Sequence, residues 1–149
     1  MDVIVVASSE GGIQESLRML LGEDHMLVPA RTLPQLLNSV VERPVDAVIL
    51  DEFLESADCV SIFRRLRALS PEVACIVLTV QPNSGMAREM RAKGVYDIVA
   101  KPFDKDTLLA SVERALERSR LLQKVAAARI DPSQVTAQAV PPEVLRANL

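Results

Sequence analysis

Three polar residues each close or closely follow an apolar, β-branched run: Asp51 after Val45–Leu50, Thr79 after Val73–Leu78, and Lys101 just beyond Val95–Val99. A carboxylate, a hydroxyl and an ammonium gathered at one place suit phosphoryl-acceptor chemistry. The carboxylate takes the group, and the hydroxyl and ammonium bind its oxygens. Other chemistries lack their parts. There is one histidine, His25, and the two cysteines, Cys59 and Cys75, lie in different segments without CxxC spacing, which argues against a zinc cluster. No nucleophile–base pair or glycine-rich phosphate loop stands out, and Gly11-Gly12 is too short for one, so a stand-alone enzyme is not expected. The cysteines read as core filling, and His25, just ahead of an apolar run, reads as an exposed turn residue.

For the three residues to meet, the runs that end in them must lie side by side and parallel. Apolar runs recur at Val3–Val6, Met26–Val28, Val45–Leu50, Val73–Leu78 and Val95–Val99, separated by stretches of helical spacing. The third and fourth are nearly continuous, as expected of central strands covered by helices on both faces. Punctuation places the helices. Gly11-Gly12 opens the first and Gly22 stops it; Thr32 and Pro34 start the second; Asp58 starts the third and Ser70-Pro71 ends it; Ser84 and Gly94 bound the fourth. The fifth runs from Asp104 to about Arg129, far beyond the ~11-residue average. The alternation predicts an α/β, flavodoxin-like (βα)5 fold: a doubly wound parallel five-stranded sheet of order 2-1-3-4-5 with an extended C-terminal helix. Ligands of such sheets collect at the carboxyl ends of the strands, where Asp51, Thr79 and Lys101 fall.

With 149 residues, 49% of them hydrophobic, the chain can bury one core, which places a domain at 1–120 and a helix extension and flexible tail or linker, with Pro132, Pro141 and Pro142, at 121–149. Seventeen basic against 20 acidic residues, a net charge of -3, offer no cationic surface for direct nucleic-acid binding. The run Arg114–Arg120 is interleaved with Glu113 and Glu117 at helical pair spacing, so it reads as a solvated face. The start, Met1-Asp2, lacks the basic and long apolar stretches of a signal peptide or spanning helix. A cytoplasmic chain with reduced thiols and no membrane contact is expected.

The segments Ala47-Val-Ile-Leu-Asp51, Ile76-Val-Leu-Thr79 and Lys93-Gly-Val-Tyr-Asp-Ile-Val-Ala-Lys101-Pro-Phe103 stand in order, and together they resemble the receiver domain of bacterial response regulators, the CheY-like superfamily, over about residues 2–120. The resemblance implies two-component phosphorelay signalling. Asp51 is then the phosphoacceptor, Thr79 binds a phosphoryl oxygen, and Lys101 pairs with the carboxylate or the phosphate. The backbone carbonyl of Phe53 joins Asp51 as a metal ligand, and the Lys101-Pro102 bond is cis. It also implies a histidine kinase or phosphotransfer protein as donor, and a downstream protein partner that senses the face made by the fourth helix, fifth strand and fifth helix.

Several positions depart from the family pattern. Ala7 and Ser8 replace the acidic pair that holds Mg²⁺, so metal binding is expected to be weak or absent, since Mg²⁺ demands oxygen ligands. Glu10 is the nearest carboxylate in sequence but is offset by the loop. Without the pair, Asp51 escapes like-charge repulsion and is free to bond Lys101 directly. Val80 is positioned to crowd Asp51, Ile98 takes the place of the switch aromatic, and Glu55 and Cys59 stand where a proline and a glycine are usual. Tyr96 reads as a packing residue. Two functions therefore compete: a phosphorylatable atypical receiver, and a degenerate pseudo-receiver that binds a protein partner or dimerises whatever its phosphorylation state. Leu108, Val112, Ala115, Ser119, Leu122 and Ala126 alternate spacings of four and three, so the fifth helix reads equally as a homodimer seam within 104–128 or as one helix whose first half packs on the sheet.

Overall fold

β-Branched and aliphatic side chains fit a pleated surface buried on both sides, and five such runs become strands. The computed structural model describes residues 1–55 and 58–128. Among them alternate β1 (Val3–Ala7), α1 (Gly11–Leu21), β2 (Met26–Ala30), α2 (Leu33–Glu42), β3 (Ala47–Asp51), α3 (Cys59–Leu69), β4 (Ala74–Thr79), α4 (Gly85–Ala92), β5 (Asp97–Ala100) and α5 (Lys105–Ala128). The strands form one parallel sheet of order β2-β1-β3-β4-β5, the expected flavodoxin-like doubly wound fold. Register sets the geometry of the sheet edge: Asp51 lies opposite Leu78, and Thr79 lies opposite Ala100. Asp51, Thr79 and Lys101 thus step by one residue from strand to strand along one border.

The two-residue strand period divides the core in two. Val5, Ala7, Val48, Leu50, Cys75 and Val77 face α2, α3 and α4, where they pack with Leu36, Ile62, Leu66 and Met90. Ile4, Val6, Ile49, Ile76 and Leu78 face α1 and α5, packing with Leu17, Leu21, Leu108, Val112 and Leu116. Tyr96 packs against this second cluster, with the Arg118 guanidinium 5.5 Å from its ring centroid. The predicted caps are in place. Thr32 accepts from the N–H of Gln35, Asp58 from Val60 and Ser84 from Ala87, each satisfying a helix-start donor. Gly94, at φ 94, ends the fourth helical stretch in the left-handed region, and the Val95 N–H bonds the Met90 carbonyl. That turn uses Val95, so β5 begins two residues later than the apolar run.

Two expectations need correction. His25 is not an exposed turn residue: its side chain is only 8% exposed, with Nδ1 3.6 Å from Asp2 and Nε2 3.6 Å from Glu113 of α5. The Met26 N–H bonds the carbonyl of Asp2, the residue before β1, and His25 is thereby set beside Asp2 and Glu113 of α5, a contact no local pattern encodes. The seam proposed for a homodimer also loses its first half, because Leu108, Val112 and Ala115 are fully buried in the chain's own core. Met1–Ser119 form one compact unit and a second begins at Arg120; on the helix beyond that point, Leu121 and Val125 are exposed and one turn apart. The predicted proline-bearing tail lies outside the described residues. No helix among the described residues is long and apolar enough to cross a membrane.

Both cysteines are buried and free, as expected of core filling. Burial, with the Glu52, Asp58 and Asp51 charges adding, pushes the Cys59 thiol up to about 12; burial, chiefly, pushes the Cys75 thiol up as well. The thiolate is the reactive form, so the folded chain should react with a thiol reagent at pH 8 at least ~100-fold more slowly than the guanidinium-unfolded chain. Rapid labelling of either cysteine in the folded chain would contradict this packing.

Candidate functional site

The ladder hydrogen bonds of β3, β4 and β5 carry past the strand ends and set the pocket. Glu52 N–H bonds the Leu78 carbonyl at 3.0 Å, and Lys101 N–H bonds the Thr79 carbonyl at 2.8 Å. Lys101-Pro102 is cis. From there the Lys101 ammonium donates to Oδ1 of Asp51 at 2.7 Å, an ion pair whose side chains are 9% and 0% exposed. The ammonium also lies 4.8 Å from the Phe53 ring centroid, within cation–π range. Oδ2 of Asp51 accepts from the Ser8 hydroxyl at 2.7 Å, and the Phe53 N–H approaches Oδ1 at 3.3 Å. The direct Asp51–Lys101 contact expected from loss of the acidic pair is therefore present.

Ser8 is fixed from several sides. Its oxygen accepts from the Glu10 N–H at 3.1 Å, and the Gln14 amide donates to the Val6 and Ser8 carbonyls, tying the end of β1 to α1. Ala7 and Ser8 are fully buried, and Glu10 lies exposed. Glu52 is the second carboxylate found at this edge. It accepts from the Thr79 hydroxyl, and from the Val80 N–H at 2.9 Å. Thr79 is fully buried, and its oxygen accepts from the Gln81 N–H at 3.0 Å. Val80 is about half exposed, and its backbone N–H bonds Glu52 at this edge. Ile98 is partly buried against the first core cluster.

The loop after Asp51 is braced by Glu55, at φ 54 in the left-handed region that a proline cannot enter. Its N–H bonds Ser9 Oγ at 2.9 Å, and its carboxylate accepts from Leu33 N–H, at the start of α2, at 2.6 Å. The fold therefore brings Asp51, Lys101, Thr79 and Phe53 to one edge and adds Ser8 and Glu52. Glu52 carries no motif signal in the sequence beyond its place beside Asp51, where the β3–β4 ladder runs on.

Mg²⁺ takes near-octahedral oxygen coordination, and the side chains here fit it poorly. Ala7 offers no oxygen, the Ser8 hydroxyl is committed to Asp51, and both Asp51 oxygens are already bonded. Among the described residues no group of three or more His, Cys, Asp or Glu is placed to hold a metal.

Comparison with known proteins gives a consistent likeness. The family model of the response regulator receiver domain matches residues 4–113. The C4-dicarboxylate transport transcriptional regulatory protein DctD of Rhizobium meliloti is 36% identical over 77 residues, 52% of this chain and 17% of that protein. The transcriptional regulatory protein ZraR of Escherichia coli is 26% identical over 121 residues, 81% of this chain and 27% of that protein. The chain thus spans less than a third of these relatives. The signal receiver domain of an HD domain-containing protein from Pseudomonas fluorescens Pf-5 superposes with a TM-score of 0.77 at 27% identity, covering 83% of this chain and 92% of that one.

Proposed function

The chain belongs to the response regulator receiver domain family of two-component systems, and we propose that it is an atypical receiver in which Asp51 accepts a phosphoryl group. One observation carries the reading: a buried strand-end carboxylate is held by a buried lysine at 2.7 Å, with the hydroxyl of Thr79 on the neighbouring strand end. In the transfer, an Asp51 oxygen bonds phosphorus as the bond from phosphorus to the donor's leaving group breaks and takes its electron pair with it. Lys101 neutralises part of the charge that arrives, and the Thr79 hydroxyl is within the same edge to bind an oxygen.

A histidine kinase or phosphotransfer protein is the donor class, and the altered surface acts on a downstream protein. Receiver domains typically hold Mg²⁺ in an acidic pocket. Here the ligands left to it are Asp51 and the Phe53 backbone carbonyl, so its affinity is weak. Incubation with acetyl phosphate, with and without Mg²⁺, should add the mass of one phosphoryl group to the wild type and none to Asp51→Ala, as read by intact mass. No gain across a wide Mg²⁺ range sinks the acceptor role.

The second reading, a phosphorylation-independent binding or dimerisation module, is favoured by one feature. The pocket's donors already face the chain's own carboxylates. Under it, Asp51→Ala binds its protein partner and self-associates as the wild type does, the exposed Leu121 and Val125 being the part of 104–128 left for a second copy.

A further inference from the structure

We propose that Glu52 is a built-in anion: its carboxylate occupies the Thr79 hydroxyl, which a phosphoryl group on Asp51 would engage, together with the adjacent Val80 N–H, and thereby governs how readily the pocket is charged. This rests on the phosphoacceptor reading of Asp51. One Glu52 oxygen accepts from the buried Thr79 hydroxyl, and the other accepts from Val80 N–H at 2.9 Å. The Thr79 oxygen is itself held in place, since it accepts from the Gln81 N–H at 3.0 Å. The remaining donors are equally committed, Lys101 to one oxygen of Asp51 and Ser8 to the other.

Five donors at the sheet edge, the Phe53 N–H on Asp51 included, therefore meet two adjacent carboxylates of the same chain. A carboxylate and a phosphoryl group present the same thing to a hydroxyl and an amide: paired oxygens bearing negative charge. The two compete for one place, and the Glu52 charge also repels the arriving dianion at short range. Thr79 is in consequence held by an anion before any phosphoryl group arrives. Charging must displace Glu52, and the Thr79 contact is then exchanged between anions rather than newly made.

The test uses the full chain as wild type, Glu52→Gln, which keeps the shape and loses the charge, and Glu52→Ala. Without phosphodonor, the Val80 amide proton should move upfield in both variants as its charge-assisted bond is lost, and sodium formate should return it toward the wild-type position in Glu52→Ala alone. With acetyl phosphate, the initial rate of mass gain should rise about tenfold in both variants, a barrier change of ~1.4 kcal/mol, and formate should reverse the gain in Glu52→Ala. An unmoved Val80 amide, equal and measurable charging rates in all three proteins, or a rate gain in Glu52→Ala that formate does not reverse would each overturn the proposal. If the amide moves and formate restores it while no protein gains phosphate, Glu52 is the anion described and the acceptor reading of Asp51 is what fails.

Discussion

Replacing Lys101 with methionine is expected to lower the unfolding free energy by about 3 kcal/mol at neutral pH, because it strands a buried carboxylate. The Asp51 side chain is fully buried and the Lys101 side chain 9% exposed, so water cannot easily take over from the lost ammonium. The Ser8 hydroxyl and the Phe53 N–H stay on Asp51, but both are neutral donors, which places the cost near the lower end of the ~3–5 kcal/mol range for breaking a buried pair. Asp51→Asn/Lys101→Met removes both charges and should recover most of the loss. The coupling between the two sites in a double-mutant cycle, measured by urea unfolding, should then reach about 2 kcal/mol. A Lys101→Met cost below about 1 kcal/mol would show that the pair contributes as a surface ion pair does, and that the pocket is wet.

The residues of that pair were identifiable in the sequence because strands advertise themselves locally. Runs such as Ala47–Asp51 and Ala74–Thr79 carry their own buried pattern, their alternation with helices leaves few topologies, and parallel pairing brings their ends to one border. The caps at Thr32, Asp58 and Ser84 were legible for the same reason, since each acts within three residues of itself. Contacts between distant positions that do not both lie at strand ends were not. Glu52 and Thr79 are 27 residues apart, and no periodicity marks that a loop carboxylate will bond a strand-end hydroxyl. His25 failed in the same way, its environment being supplied by Glu113 on a helix far along the chain. The α5 stripe shows a different limit. A seam for a second helix and a stripe for a sheet share nearly the same period, so Leu108, Val112 and Ala115 look alike in either role until the sheet is in place.

The loop that carries Glu52 has its own anchor, and cutting Leu54 to alanine should cost about 3 kcal/mol while disturbing the pocket. Leu54 is fully buried in the cluster beneath α2, α3 and α4, and its N–H closes a turn onto the Asp51 carbonyl at 3.1 Å. Glu52 is therefore held between two buried side chains, Asp51 before it and Leu54 after it, whereas Phe53 between them is 51% exposed. Deleting the buried isobutyl group leaves a cavity and frees the far end of the turn, so amide exchange at residues 52–55 should accelerate beyond what global destabilisation accounts for. Phe53→Ala removes a larger side chain yet should change stability by less than about 1 kcal/mol, since half of that ring is already in water. Equal costs for the two variants, or exchange at 52–55 that tracks global unfolding alone, would mean that the loop is positioned by Asp51 and the Glu55 brace rather than by core packing. With the anchor intact, the position of the Glu52 carboxylate is a consequence of how the hydrophobic core closes.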